Sequence, residues 1–327
     1  MSNRLEYLIK KEEEEKELSN KLRRDFSNSD HDIEGNFIAV LGRQFDNDYK
    51  FNKCLKPLWA GFYIKYNDLE LMVDPGVNVL ERTQRIGVNI SKTNTLFISH
   101  AHTDHKNDTN VVSEMVAYQE SPKLKILMSE KSLEEGAMSN YHIQLHDKEK
   151  DNLIILKNNV DIDINSSTSI KPIEVKHSID GSFGFILSVG DMKIGYTADT
   201  GFYKTYKTKD GEFETSKVTD KNEIEGPGEI DHKLVKFFSD VDILIFNLHG
   251  VSFRKHTAHN LYHTTVKSAV DVLKGSNVKT CIFDHFNSTG CLGREFSEEV
   301  NDYIKQETGK DTRMVGLDGL VIKLNLT

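Results

Sequence analysis

The six residues His100-Ala101-His102-Thr103-Asp104-His105, set directly after the apolar run Leu96-Phe97-Ile98-Ser99, constrain this chain more than any other feature. The β-branched and aromatic stretch from Thr95 to Ser99 reads as a short buried strand, and a loop leaving its end can aim several side chains at one point. Imidazole and carboxylate suit zinc and its first-row neighbours. On an extended backbone His100 and His102 point the same way, whereas Asp104 and His105 follow a turn and can face a second ion. Solvated loop residues are the bland alternative, since Asp and His both populate turns. Three His and one Asp within six positions weigh against it and point to a metal-dependent hydrolase.

Two ions need more ligands than one loop offers, and the chain supplies candidates at other strand ends. His177 ends the alternating run Ile170 to Lys176, and His285 follows the short apolar strand Thr280 to Phe283. Asp199 follows Lys193 to Ala198, the second arm of a hairpin expected to turn at Gly190-Asp191. Each alone also reads as an ordinary surface or core residue. The recurrence of a ligand type at the carboxyl end of a hydrophobic run is harder to assign to chance.

With these residues in place, the chain from about Gly35 to Leu324 resembles the metallo-β-lactamase-fold hydrolases. Asp74 in Val73-Asp74-Pro75-Gly76 matches the first motif, His100 to His105 the second and His177 the third. Asp199 in Thr197-Ala198-Asp199-Thr200-Gly201 matches the fourth, and His285 the fifth. The resemblance implies an α/β fold, a four-layer αββα sandwich, with His100, His102 and His177 holding one metal and Asp104, His105 and His285 the other. Asp199 would bridge the two. Asp74 would orient a ligand His through its free ring N–H.

The last third looks like the ribonuclease Z and related phosphodiesterase branch. His263-Thr264-Thr265 opens an apolar-periodic helix (Val266, Ala269, Val270, Val272, Leu273) ahead of the strand leading to Asp284-His285. In that branch the equivalent His contacts the scissile phosphate or its leaving group, so His263 joins Asp104 and Asp74 as a candidate catalytic residue. A water-exposed residue at a helix start is the ordinary reading of His263. Departures cut against transfer-RNA processing: little more than one hairpin joins His177 to Asp199, where a transfer-RNA-gripping arm is usual. Asn247 stands where the branch has a Glu paired with the catalytic His. It could orient His263 by hydrogen bonding but cannot stabilise its protonated form. The closer likeness is to uncharacterised metal-dependent hydrolases of bacteria and archaea.

Organisation follows from composition. Residues 1–34 read as a charged amphipathic helix (Arg4 to about Phe26) and a Ser/Asn/Asp-rich linker, the helix solvated or with its thin apolar stripe packed on the core, a second subunit or a partner. Residues 35–327 form the catalytic domain, with a polar insertion at 202–231 that is expected to bury little and to serve as a lid or remain disordered. Four His (His249, His256, His259, His263) crowd the stretch from 249 to 263, where His249 and His259 could reach substrate or simply lie exposed. The tail Gly316 to Ile322 reads as a closing hairpin. Although hydrophobic residues make up only 37% of the 327, a sizeable core is still possible. Three cysteines (Cys54, Cys281, Cys291) lack paired spacing, so a disulfide framework is not expected and a cytoplasmic location is. No apolar run reaches the roughly 20 residues of a membrane span. A net charge of −9 disfavours a broad nucleic-acid footprint.

The expected function is therefore a dinuclear hydrolase, a phosphodiesterase or nuclease that uses a metal-bound hydroxide. Zinc is the expected metal, with manganese and iron also fitting the ligands. The substrate would be a phosphodiester, either a nucleic acid or a cyclic or small nucleotide, and the resemblance adds a homodimer as an expectation. Hydrolysis of a carboxylic ester, lactone or thioester is the alternative within the fold, and a metal-bound scaffold or sensor the alternative outside catalysis.

Overall fold

A computed structural model of the chain describes residues 11, 17, 32–41, 43, 44, 58, 59, 61–119, 123–146, 151–219, 222–251, 261–285, 294–315 and 319–324. The expected N-terminal helix (Lys11 and Glu17 apart), Cys54, Cys291, His256 and His259 lie outside them.

The first half of the fold is one mostly continuous sheet. Its strands are β1 (Phe37–Val40), the short β2 (Arg43–Gln44) and β3 (Leu58–Trp59) that pair only with each other, β4 (Phe62–Tyr66), β5 (Leu69–Val73), β6 (Thr95–Phe97), β7 (Lys125–Met128) and β8 (Leu153–Ile155). The second half contributes β9 (Ile162–Asn165), β10 (Thr168–Glu174), β11 (Phe183–Val189), β12 (Met192–Tyr196), β13 (Thr205–Thr208), β14 (Gly211–Glu214) and β15 (Ile224–Pro227). It continues through β16 (Ile243–Gly250), β17 (Thr264–Thr265), β18 (Thr280–Asp284), β19 (Asp311–Met314) and β20 (Leu320–Lys323). Neighbours in the first sheet run β20-β1-β4-β5-β6-β7-β8, and in the second β19-β18-β16-β12-β11-β10-β9 with β17 beside β16.

Alternation along β1 shows why the sheets stack. Ile38 and Val40 join the core shared with Phe185, Leu187 and Tyr196 of the second sheet. Phe37 and Ala39 instead join Val79, Val112, Val116 and Ile143, which belong to the helices Val79–Ile86, Thr109–Ala117 and Asn140–His146. Side chains at successive strand positions face opposite ways, so one sheet is apolar on both faces and needs a layer on each. The helices Val266–Lys274 and Arg294–Thr308 pack on each other and against the second sheet. The result is the expected four-layer αββα sandwich.

Both expected hairpins form: β4 and β5 turn at Asn67, which has a positive φ of 49°, and β11 and β12 at Gly190 with φ 55°. The tail differs from the expected closing hairpin. β20 pairs antiparallel with β1 in the first sheet, whereas β19 forms the edge of the second. Leu320 and Ile322 turn toward the inter-sheet core, and the pairing satisfies what would otherwise be a bare edge.

Among its described residues the polar insertion forms strands and a core of its own, contrary to the expectation from its composition. β13 pairs with both β14 and β15, and Tyr203, Tyr206, Val218 and Ile224 bury themselves with Leu261 in a separate small core. A few apolar side chains on the correct faces suffice, however charged the intervening residues are. Among the described residues, no helix is long and apolar enough to cross a membrane.

Candidate metal centre

Parallel pairing of β5, β6 and β7 sets the carboxyl ends of three strands side by side, and the chain leaves β5 and β6 there with its polar residues. Asp74 follows β5 in a left-handed conformation, φ 49°, which turns its carboxylate back under the β6 end. Its Oδ1 accepts from the Ser99 backbone N–H at 2.7 Å, and its Oδ2 accepts from Ser99 Oγ at 2.6 Å. His105, carried on the short helix Thr103–Lys106, completes this anchor with Nδ1 at 2.9 Å from Asp74 Oδ2. The second sheet joins in through the Phe183 N–H, which donates to Ser99 O at 2.9 Å.

These contacts decide which ring nitrogen of His100 and of His177 carries the proton. Ser99 Oγ spends its proton on Asp74 and lies 2.9 Å from His100 Nδ1, so it accepts there and leaves His100 Nε2 with an exposed lone pair. In the same way His177 Nδ1 faces Tyr262 O at 3.4 Å, leaving Nε2 as the lone-pair nitrogen. His100 Nε2 and His177 Nε2 then approach His102 Nδ1 at 3.1 and 3.0 Å. The two inward lone pairs meet at His102 Nδ1, an arrangement that needs a proton or a cation among the three nitrogens. Tetrahedral coordination at roughly 2.0–2.1 Å puts ligand nitrogens about 3.3 Å apart, close to what is found. Burial pushes His177 down to about 3 and His100 well below the usual imidazole range, so both are neutral and able to ligate near pH 7.

A second cluster adjoins the first and is richer in charge. His105 Nε2 lies 3.2 Å from His285 Nε2, and His285 Nε2 lies 3.1 Å from Asp104 Oδ2. Asp199 Oδ2 closes the group at 3.3 Å from His105 and 3.5 Å from His285. That same oxygen is 3.9 Å from His177 Nε2 and 3.5 Å from His263 Nε2, so one carboxylate faces both clusters. Burial opposes the charged form of His105, yet Asp199, Asp104 and Asp74 outweigh it and raise the imidazole well above its ordinary value. Burial likewise works against an ionised Asp199 and Asp104, but His285 and His105 overcome it and hold both carboxylates below their usual range. A cation entering this cluster would displace the His105 proton. Among the described residues, potential ligand atoms form three such groups: His100, His102 and His177; Asp104, His105, Asp199 and His285; and His177, Asp199 and His263, within 4.8 Å of one another in each. All seven ligand candidates read from the sequence are thus brought together, with Asp74 directly behind one of them.

His263 is buried, not the exposed helix-start residue of the ordinary reading. It precedes β17, which runs parallel to β16, and Thr265 then caps the next helix through a reciprocal box with Ser268. The backbone ahead of it is pinned from the insertion, where the Tyr206 hydroxyl donates to Leu261 O at 3.1 Å. Gly201 passes so close that a Cβ would sit 2.2 Å from Leu261 O. The 202–231 sheet therefore buttresses the segment that carries His263.

Two placements correct the sequence expectations. Asn247 does not orient His263: its Nδ2 donates to Asp199 Oδ1 at 2.7 Å and to the Tyr196 hydroxyl at 3.2 Å, because β16 and β12 are parallel neighbours and Asp199 leaves the end of β12. His249 is not on an exposed loop but in β16, with its ring 4.3 Å from that of His263. Sequence reasoning missed Ser99 and Tyr196, the latter donating to Asp74 Oδ2 at 2.6 Å. Their only signal was a hydroxyl at the polar end of an apolar run.

Comparison with known proteins agrees with this architecture. A family model described as the anti-Pycsar protein Apyc1 matches residues 60–216, just under half of the chain. An uncharacterised protein of Methanocaldococcus jannaschii is 26% identical over 256 residues, covering 78% of this chain and 83% of that one. Among solved structures, the metallo-β-lactamase fold protein YhfI from Bacillus subtilis superimposes with a TM-score of 0.61 at 14% identity, covering 88% of this chain and 99% of YhfI. A diphosphatase of the PhnP family gives 0.55 at 14% identity, over 89% and 99%. The short form of human tRNase Z gives 0.54 at 13% identity, over 89% and 100%. Superposition over 88–89% of this chain at TM-scores of 0.54 to 0.61 gives this protein the metallo-β-lactamase fold.

Proposed function

We propose that this protein is a metal-dependent hydrolase of phosphodiesters that binds two divalent cations, zinc being the ion best suited to its His and Asp ligands. One observation carries the reading: Asp199 Oδ2 faces both ligand clusters and His263 at once. A shared carboxylate with an imidazole standing beside it suits a phosphoryl group lying across two ions. His100, His102 and His177 would hold one ion, and Asp104, His105 and His285 the other, with Asp199 between them. Bound cations supply an activated water and neutralise charge on the phosphoryl oxygens.

The chain's own residues supply the rest. Asp74 fixes the His105 tautomer so that Nε2 faces the cluster, and Ser99 does the same for His100. His263, its Nε2 3.5 Å from Asp199 Oδ2, would donate a proton or a hydrogen bond to the leaving oxygen. The names of two structural neighbours, a diphosphatase and a tRNase, favour phosphate chemistry over carboxylic esters, lactones or thioesters. Net charge of −9 favours a small or cyclic diester over a long polyanion.

His263→Ala should keep its full metal content by elemental analysis and hydrolyse bis(4-nitrophenyl) phosphate roughly 10²- to 10⁴-fold more slowly, the usual contribution of a general acid. Undiminished turnover would make His263 structural. A wild-type protein that cleaves lactones but none of the aryl, cyclic-nucleotide, short RNA or short DNA diesters would overturn the phosphodiester reading.

A further inference from the structure

Tyr196 ends β12 in the second sheet and is almost wholly buried, its ring edge-on to Phe62 of the first sheet at 4.9 Å and tilted against Phe185 at 5.5 Å. Packing alone would be served equally well by Phe. The hydroxyl nevertheless has both of its roles filled. A carboxylate only accepts and an amide NH₂ only donates, so Tyr196 gives its proton to Asp74 Oδ2 at 2.6 Å and accepts from Asn247 Nδ2 at 3.2 Å. The other Asn247 hydrogen goes to Asp199 Oδ1 at 2.7 Å.

Following these bonds gives a closed ring. His105 Nδ1 meets Asp74, Asp74 accepts from Tyr196, Tyr196 accepts from Asn247, and Asn247 donates to Asp199. Asp199 Oδ2 then returns to His105 Nε2 at 3.3 Å. Asp74 and His105 belong to the first half of the fold, Asn247 and Asp199 to the second. The two halves of the second ligand cluster are therefore tied together through one phenol oxygen.

We propose that Tyr196 is a positioning residue that sets the spacing of His105 and Asp199 across the two sheets, and so the affinity of the second cluster for its ion. The proposal rests on reading the clusters as a dinuclear site. Removing the hydroxyl takes one donor from Asp74, which keeps Ser99 and His105, and leaves one of the two Asn247 amide hydrogens unmet in a buried setting, where unmet polar groups make neighbours shift. His100 and His177 have contacts outside the ring, with Ser99 Oγ and Tyr262 O, and with His102 between them should keep their geometry.

The test is Zn²⁺ titration of the metal-stripped full chain against a chelating indicator, for wild type and Tyr196→Phe. Wild type should take up two equivalents. Tyr196→Phe should bind the first unchanged and the second roughly 10- to 100-fold more weakly, the range for lost partners behind metal ligands. With Zn²⁺ limiting, kcat should fall while KM stays, and excess Zn²⁺ should restore kcat. Asn247→Leu breaks the ring from its other side and should give the same selective loss, which keeps the test valid if the Tyr196 variant folds poorly. Two unchanged dissociation constants, even with a lowered thermal midpoint, would make the hydroxyl merely structural and overturn the proposal. Zinc uptake of zero in wild type would overturn the dinuclear reading itself, and the positioning role with it.

Discussion

Asp199→Ala should lose most of its bound metal and slow diester hydrolysis by more than roughly 10²-fold, the upper range for losing only a partner behind a ligand. The expected size follows from position. Asp199 Oδ2 lies within 3.3 to 3.9 Å of nitrogens on His105, His177, His263 and His285, so a single deletion empties the centre of both clusters. It also removes one of the two acceptors of the Asn247 amide, leaving one buried N–H unpaired. His102→Ala should be narrower, costing the ion held by three imidazoles and sparing the one beside Asp104. Asp199→Asn separates shape from charge, since the amide fills the same space without the negative charge that draws a cation. Elemental analysis of purified proteins decides the matter. If both Asp199→Ala and His102→Ala retain the wild-type metal content, these residues are not the ligands.

Much of this centre was legible because its chemistry is written in rare residue types at recognisable places. His100, His177, Asp199 and His285 each follow an apolar strand, and β pairing puts those strand ends on one edge of the sandwich. The turns that aim them were not legible. Asp74, Ala198 and His285 have positive φ values of 49°, 50° and 61°, a region that non-glycine residues seldom occupy. Ala198 in particular carries no sequence hint of such a turn. Strain of this kind is held by the surrounding packing and gathers at functional sites.

Partners across the sandwich were illegible for a different reason. Tyr196 and Asp74 lie 122 positions apart, and nothing local distinguishes a tyrosine that ends a strand for packing from one that bridges two carboxylate supports. Asn247 stands where the resembled branch pairs a Glu with the catalytic His, which suggests His263 as its partner, whereas the parallel pairing of β12 and β16 directs it to Asp199. Composition misled at the insertion. Its charge density hid Tyr203, Tyr206, Val218 and Ile224, whose small core fixes Leu261 and thereby the approach of His263 to the site.

Gly61→Ala should be severely destabilising, on the order of 4 kcal/mol, because the added carbon has no room to enter. A Cβ at this position would fall 2.0 Å from Val73 O and 2.6 Å from Asp74 O, both backbone atoms that no side-chain rotation can move. Gly61 also donates its N–H to Asp74 O at 2.9 Å and accepts from the Leu41 N–H at 3.0 Å, so it cannot retreat without breaking the pairing of β1, β4 and β5 at their common end. That end is where Asp74 turns back beneath His105. Thermal unfolding should show a midpoint lowered by roughly 10 °C, given the few degrees per kcal/mol of a chain this size. Weaker uptake of the second Zn²⁺ should accompany it, since the carboxylate behind His105 is displaced. Gly275→Ala is the matched control: it meets nothing within 4 Å and has φ −93°, so its midpoint should stay within about a degree of wild type. Equal midpoints for the two variants would show that the β4 end can open to admit a methyl group, and the tight crossing at Val73 and Asp74 would then have no part in holding the site.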